Sequence, residues 1–162
     1  MSNWTLSSTD SQFFSDVKEY EGTIAYQQKK GMYRNGKFYP YNDSRGLPTI
    51  GYGHLILSGE NFSNGITEAQ ADAMLIKDAQ TAYNDAKSIY VQYNMNGSVL
   101  LQRVLWQMVF QMGKTRVLGF KKALAAMASG NYREAAAQMR DSSWYKQTTS
   151  RADKLARIVE GL

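Results

Sequence analysis

Apolar positions recur three and four residues apart in two long stretches of this chain, and in pairs or short runs elsewhere. Ala71, Met74, Leu75, Ala79, Ala82, Ala86 and Ile89 hold helical spacing through about Tyr90, which predicts roughly 24 residues of helix, about 36 Å long. The stripe is thin and alanine-rich, as suits a helix that joins two lobes and is only partly buried. Thr67 and Gln70 are spaced as a capping box at its start. Val99 to Phe110 is apolar nearly all round and predicts the central buried helix of a helical second half. Gly113, Gly119 and Gly130 then punctuate shorter helices, and Tyr132–Met139 and Arg151–Val159 complete the pattern. Near the start of the chain, Phe13, Phe14, Val17 and Tyr20 share one helical face. That face lies between a second capping-box pattern, Thr9 with Gln12, and a stop at Gly22.

From Thr23 to Leu57 the texture changes to short aromatic and β-branched runs cut by Gly, Pro and Asn. Asn35-Gly36, between Met32-Tyr33 and Phe38-Tyr39, is a two-residue hairpin signal, and a small antiparallel sheet is expected. The pattern therefore predicts an α+β chain in one domain over 1–162. Its parts are a sheet lobe at about 22–65, a connecting helix at about 67–90, and a helical lobe at about 95–162 onto which the first helix, about 10–21, folds back.

Composition narrows the chemistry. The 162 residues contain no cysteine and one histidine, which removes a disulfide framework, a thiolate metal site, a cysteine nucleophile and a multi-histidine zinc site. No metal or cofactor is expected. The net charge of +5 and pI near 9.3 favour an anionic partner: nucleic acid, a membrane surface, or an acidic polymer such as the bacterial wall. No run approaches about 18 apolar residues, so no spanning helix or stable membrane insertion is expected. The N-terminal MSNWTLSSTDSQ has neither the basic start nor the apolar run of a secretory signal. The product is expected to accumulate in the bacterial cytoplasm and to reach the periplasmic wall with outside help.

Carboxylate chemistry survives these exclusions. Glu21 sits at a helix end, where a short turn can aim it into a cleft, and Asp43 sits in a turn of the sheet opposite. Two such carboxylates hydrolyse a glycosidic bond with neither cofactor nor metal. Taken singly the residues are unremarkable: Glu21 reads as a solvated helix-end acid, Asp43 as a turn residue and Thr49 as a strand residue.

Their order carries more. Tyr20-Glu21-Gly22, then Asp43 followed by Thr49-Ile50-Gly51-Tyr52-Gly53-His54-Leu55, resemble the glutamate, aspartate and threonine segments of the phage T4 lysozyme family of muramidases. Met108-Val109-Phe110-Gln111-Met112-Gly113, Gly119-Phe120, Trp144 to Thr148 and Arg151-Ala152 resemble its C-terminal lobe in the same order. The resemblance covers about Phe14 to Arg157. It implies a lysozyme-like fold with a substrate cleft between the lobes, and a monomeric glycoside hydrolase acting on peptidoglycan.

It also implies roles. Glu21 is the general acid, Asp43 the charged partner that activates water or stabilises the sugar cation, and Thr49 the holder of the attacking water. The family inverts, which implies carboxyls about 6.5–9.5 Å apart. Leu55, Phe110, Gln111, Arg45, Gln138 and Arg151 are the substrate-binding candidates, with Phe110 also read as core. His54 is read as structural, paired with Asp78; that partner raises its pKa, so the charged pair stabilises at low pH.

The chain departs from the family pattern in several places. Glu21 and Asp43 are 22 positions apart, wider than in common phage members. The additional residues are roughly Lys29–Tyr41, a hairpin basic at Lys29, Lys30, Arg34 and Lys37. It reads as a grip on an anionic substrate or partner protein, or as a solvated face. Arg45 stands where an acid is common. About a dozen N-terminal residues are additional, and the chain ends at Leu162, short of the family's last helix.

The leading expectation is a muramidase cutting between N-acetylmuramic acid and N-acetylglucosamine, as a phage endolysin released through holin lesions. A tail-associated lysozyme or a toxin domain with an immunity protein would share this sequence pattern. Two other classes stand beside these: a wall-binding module without catalysis, and a nucleic-acid binder. The second has only charge in its favour, since no basic recognition helix or RNA-binding aromatic motif is present.

Overall fold

A computed structural model describes residues 3–162; the first two residues of the expected 1–162 domain lie outside the described residues. The architecture is α+β, with small antiparallel sheets in the first half and helices dominating the second. Contacts divide the chain into two units, Ser11–Gln80 on one hand and Met1–Asp10 with Thr81–Leu162 on the other. The long helix, α3 (Glu68–Gln92), runs through the division.

The Ser11–Gln80 unit begins with α1 (Ser11–Glu21) and α2 (Ile24–Lys30). Helix α2 lies where the sequence pattern predicted only sheet. Its signal is in its ends: the Thr23 side chain accepts a hydrogen bond from the Tyr26 N–H, and Gly31 closes the other end in the left-handed conformation. Seven residues carry too few apolar positions to show a period. Strands β1 (Tyr33–Arg34) and β2 (Lys37–Phe38) form the expected hairpin, with Asn35 at φ 52° and Gly36 at φ 75°, the pair of positive angles a type I′ turn requires. This hairpin is a sheet of its own. A separate three-stranded antiparallel sheet contains β3 (Tyr41–Asn42), β4 (Pro48–Ile50) and β5 (His54–Leu55). One expected sheet is thus two.

Helix α1, expected to fold onto the helical lobe, groups with the sheet-bearing unit. Its C-terminal half is tied there: Lys18 Nζ lies 3.1 Å from Asp72 and 5.0 Å above the Tyr52 ring. Its start also differs from expectation. Ser7 Oγ, not a Thr9–Gln12 box, receives the Thr9 N–H at 3.1 Å, and Gln12 reaches forward to Asp16 at 2.8 Å. The box at α3 does form, with Thr67 N–H donating to Gln70 Oε1 at 2.9 Å and Gln70 N–H to Thr67 Oγ1 at 3.2 Å. All seven stripe residues of α3 are buried except Met74, which is half-buried.

In the other unit α4 (Val99–Met112) is the core helix, with Leu101, Val104, Leu105, Trp106 and Met108 at 1% exposure or less. Around it lie α5 (Lys114–Leu118), α6 (Lys121–Ala128), α7 (Tyr132–Arg140), α8 (Ser143–Gln147) and α9 (Thr149–Glu160). The N-terminal segment is anchored to α4 through Gln102, a fully buried side chain. Its Oε1 accepts the N–H groups of Thr5 and Leu6 at 3.0 and 2.9 Å, so a polar group inside an apolar helix is satisfied rather than stranded. Arg103 fixes Asp10 at 2.8 Å. Among the described residues no helix is long and apolar enough to cross a membrane.

Candidate active site

The three-stranded sheet sets the geometry. Tyr41 pairs with Thr49, and Thr49 with Leu55, across the register. Directly opposed residues of antiparallel strands project from the same face, so Tyr41, Thr49 and Leu55 form one row on that face. Thr49 is 2% exposed, with its hydroxyl donating to the Leu47 carbonyl at 2.9 Å, whereas Leu55 is 40% exposed.

Glu21 is the last residue of α1, and Gly22 at φ 107° turns the chain sharply after it. The Glu21 side chain lies against the backbone of Gly53, in the loop between β4 and β5. A methyl group placed on Gly53 would overlap the Glu21 carboxylate and stand 2.6 Å from its Cδ and 3.0 Å from its Cγ. Glu21 therefore sits on the one residue type that leaves it room.

Asp43 closes a tight turn after β3. Its Oδ1 accepts the N–H groups of Arg45 and Leu47 at 2.8 and 2.9 Å, and its Oδ2 lies 3.3 Å from the Arg45 guanidinium. Burial alone would raise its pKa. The Leu47 and Arg45 N–H groups and the Arg45 cation outweigh that and lower it, so Asp43 keeps its charge below the ordinary carboxylate range. Arg45, a substrate-binding candidate, is here engaged with Asp43.

Tyr41 is under the electrostatic influence of both carboxylates. Burial raises the pKa of its phenol, and the negative charges of Glu21 and Asp43 and the neighbouring Tyr26 raise it further. Coulombic effects of that kind fall off with distance, so the Tyr41 phenol lies in the field of both acids. Sequence reasoning did not single out Tyr41. The signal was available: it precedes Asp43 by two, the spacing that puts strand residues on one side.

His54 stands one row over, opposite Ile50. Its Nδ1 is 2.7 Å from Asp78 Oδ2 and its Nε2 is 3.0 Å from Glu60 Oε1. Glu60 was not anticipated; it is placed by the loop after β5, where its Oε1 also accepts the Leu57 N–H at 2.7 Å. Burial would lower the His54 pKa, but the hydrogen bonds to Asp78 and Glu60 reverse this and raise it. A raised folded-state pKa gives stability that is complete below the unfolded value, near 6.5, and lost as pH rises through the folded one. His54→Asn should accordingly lower the thermal midpoint by roughly 2–4 °C at about pH 5 and by much less at about pH 9. Equal losses in unfolding scans at the two pH values would remove the charged pair from the stability of this loop.

The remaining substrate-binding candidates lie in the other unit. Gln111 has both ends of its amide engaged: Oε1 accepts from Trp144 Nε1 at 2.9 Å and Nε2 donates to Thr148 Oγ1 at 3.3 Å. Phe110 is half-buried and Arg151 is 9% exposed. Gln138 donates to Glu134 at 2.8 Å and lines a cavity of about 530 Å³ with Arg116, Phe120, Lys121, Lys122 and Trp144.

Comparison with known proteins bears on what this cluster is. Residues 27–160 match the phage lysozyme family. The chain is 30% identical over 145 residues to the pre-baseplate central spike protein of Enterobacteria phage T4, which covers 74% of this chain and 24% of that protein. It thus spans about a quarter of that relative's length. A probable T4-type lysozyme of Dictyostelium discoideum is 26% identical over 147 residues, covering 74% of this chain and 84% of its own. The endolysin of Salmonella phage P22 is 33% identical over 98 residues, covering 59% and 65%. With more than half its length matched and the α+β architecture in place, this chain belongs to the phage lysozyme family of glycoside hydrolases.

Proposed function

We propose that the protein is a muramidase that hydrolyses the β-1,4 bond between N-acetylmuramic acid and N-acetylglucosamine in bacterial peptidoglycan. The observation that carries this is the seat of Glu21 against Gly53, in the loop that joins β4, which bears Thr49, to β5, while Asp43 closes the turn between β3 and β4 of the same sheet. Thr49 and Leu55 share one row of that sheet, Asp43 follows its first strand, and Glu21 packs on the loop between its other two. The family match begins after Glu21, so its role rests on its seat at Gly53 and its nearness to Tyr41.

In this mechanism Glu21 gives its proton to the glycosidic oxygen as the bond to the sugar carbon breaks. Asp43, held charged by its turn, stabilises the cationic sugar and takes a proton from the incoming water. Thr49 has its own hydrogen committed to Leu47, so its oxygen is left to accept a hydrogen bond from that water. Tyr41 stays protonated through the working range, its phenol pKa pushed up by burial and by the charges of both acids.

The test is product chemistry. Purified sacculi incubated with the protein should release fragments whose new reducing ends are N-acetylmuramic acid, with the inverted anomer formed first in NMR time courses. Reducing ends of N-acetylglucosamine, or solubilisation without new reducing ends, would sink the reading. Holin-dependent release as an endolysin fits the similarity to the Salmonella phage protein. The similarity to a spike protein favours a second setting, a tail-associated lysozyme, in which the protein would be found in purified virions.

A further inference from the structure

The stretch from Gly22 to Asn42 joins the two proposed catalytic acids and contains no acidic residue, yet it carries Lys29, Lys30, Arg34 and Lys37. Those four charges compare with +5 for the whole chain. None of the four makes an ion pair among the described residues. Arg34 instead donates to the Gly31 carbonyl at 2.9 Å and stacks 3.8 Å above the Tyr39 ring, and Lys30 lies 5.8 Å from the Tyr26 ring. Aromatic faces and a backbone carbonyl orient these cations without neutralising them.

The scaffold beneath them is rigid. Phe38 is fully buried between Tyr33 and Tyr52, with ring centroids 4.8 and 5.2 Å away. Its backbone exchanges hydrogen bonds with Ile66 at 2.8 and 2.9 Å. Buried Gln27 ties α2 to the site loop by donating to the carbonyls of Gly22 and Gly51 at 2.8 and 3.0 Å. The arm is therefore fixed to Gly22, next to Glu21, and to the Gly51–Gly53 loop on which Glu21 is seated. Lys29, Lys30 and Arg34 are exposed and Lys37 is half-buried. Four cations without an ion-pair partner on one short arm, Lys30 and Arg34 among them oriented by aromatic rings, cost self-repulsion unless an anion meets them.

We infer that this arm binds the free carboxylates of the peptide stems carried by the glycan strand, holding the substituted wall polymer beside the site. The inference rests on the muramidase reading for its partner. The arm's attachment to the site elements favours a ligand on the substrate itself over a separate partner. Stem carboxylates are the anions that recur along that polymer.

Binding is measured with Glu21→Gln as the background, so that hydrolysis plays no part. The target is protein-free Gram-negative sacculi, which carry no phosphate polymer. Neutralising all four cations (Lys29→Gln, Lys30→Gln, Arg34→Gln, Lys37→Gln) should weaken binding about tenfold at low salt and flatten its salt dependence. Sacculi whose carboxyls are amidated with carbodiimide and glycinamide should bind the background protein as weakly as untreated sacculi bind the neutralised variant. Circular dichroism and the thermal midpoint verify that the variant is folded, and Lys30→Gln with Arg34→Gln alone should give an intermediate loss. Equal binding by background and neutralised proteins would overturn the inference, as would full binding to amidated sacculi. A loss seen on phosphatidylglycerol vesicles but not on sacculi would also overturn it, in favour of a membrane surface. Because no bond is cut in this assay, a failure of the muramidase reading shows separately, in the reducing ends.

Discussion

Glu21→Gln should leave a folded protein that clears a bacterial wall suspension about a hundredfold to ten-thousandfold more slowly than the parent. The substitution keeps the side chain's size and shape, so its seat against Gly53 remains filled. What it removes is the ability to hand a proton to a leaving oxygen, and general acid catalysis alone is worth about a hundredfold to ten-thousandfold. The loss should fall on kcat, since a group acting only as the bond breaks contributes little to ground-state binding. Binding to sacculi should persist, which separates this outcome from a collapsed site. Asp43→Asn is a less clean probe, because Asp43 also anchors its own turn through the N–H groups of Arg45 and Leu47. A Glu21→Gln protein with parental clearing would take Glu21 out of the mechanism and leave Asp43 without a partner.

How far the sequence foretold this arrangement depends on the length scale of each signal. Helices α3 and α4 were legible because many residues repeat one period, and the α3 capping box is local. The hairpin at Asn35-Gly36 was legible because two residues dictate its backbone. Helix α2 was not, since seven residues show no period and only the Thr23 and Gly31 caps mark it. The order of Glu21, Asp43 and Thr49 was visible; the row that places Tyr41 beside Thr49 required a strand register. Gln102 reads in the sequence as a break in an apolar stripe. Its partners, Thr5 and Leu6, are nearly a hundred residues upstream, where no local pattern reaches. Glu60 was missed for a similar reason, because its contact with His54 depends on the path of an irregular loop.

Gly51-Tyr52-Gly53 shows the same division within three residues. As a motif it has too few glycines for a dinucleotide loop, and the structure gives it another purpose. Tyr52 turns inward to 5% exposure, where burial and the acids Asp72 and Glu68 push its pKa up to about 12. Gly53, at φ 84°, turns its missing side chain toward Glu21. Gly53→Ala should therefore fail in two ways at once. The left-handed backbone would cost about 1–2 kcal/mol, or a fall of roughly 2–8 °C in the thermal midpoint. The new methyl would also force the Glu21 carboxylate from its seat, and misplacement of about 1 Å costs on the order of a hundredfold in rate. The two effects separate in a double-mutant cycle. With Glu21→Gln already present, adding Gly53→Ala should still lower the midpoint but should remove almost no further activity, because the group it displaces no longer transfers a proton. Full activity in the single variant, or undiminished additivity in the double, would mean that the contact with Gly53 does not position the acid.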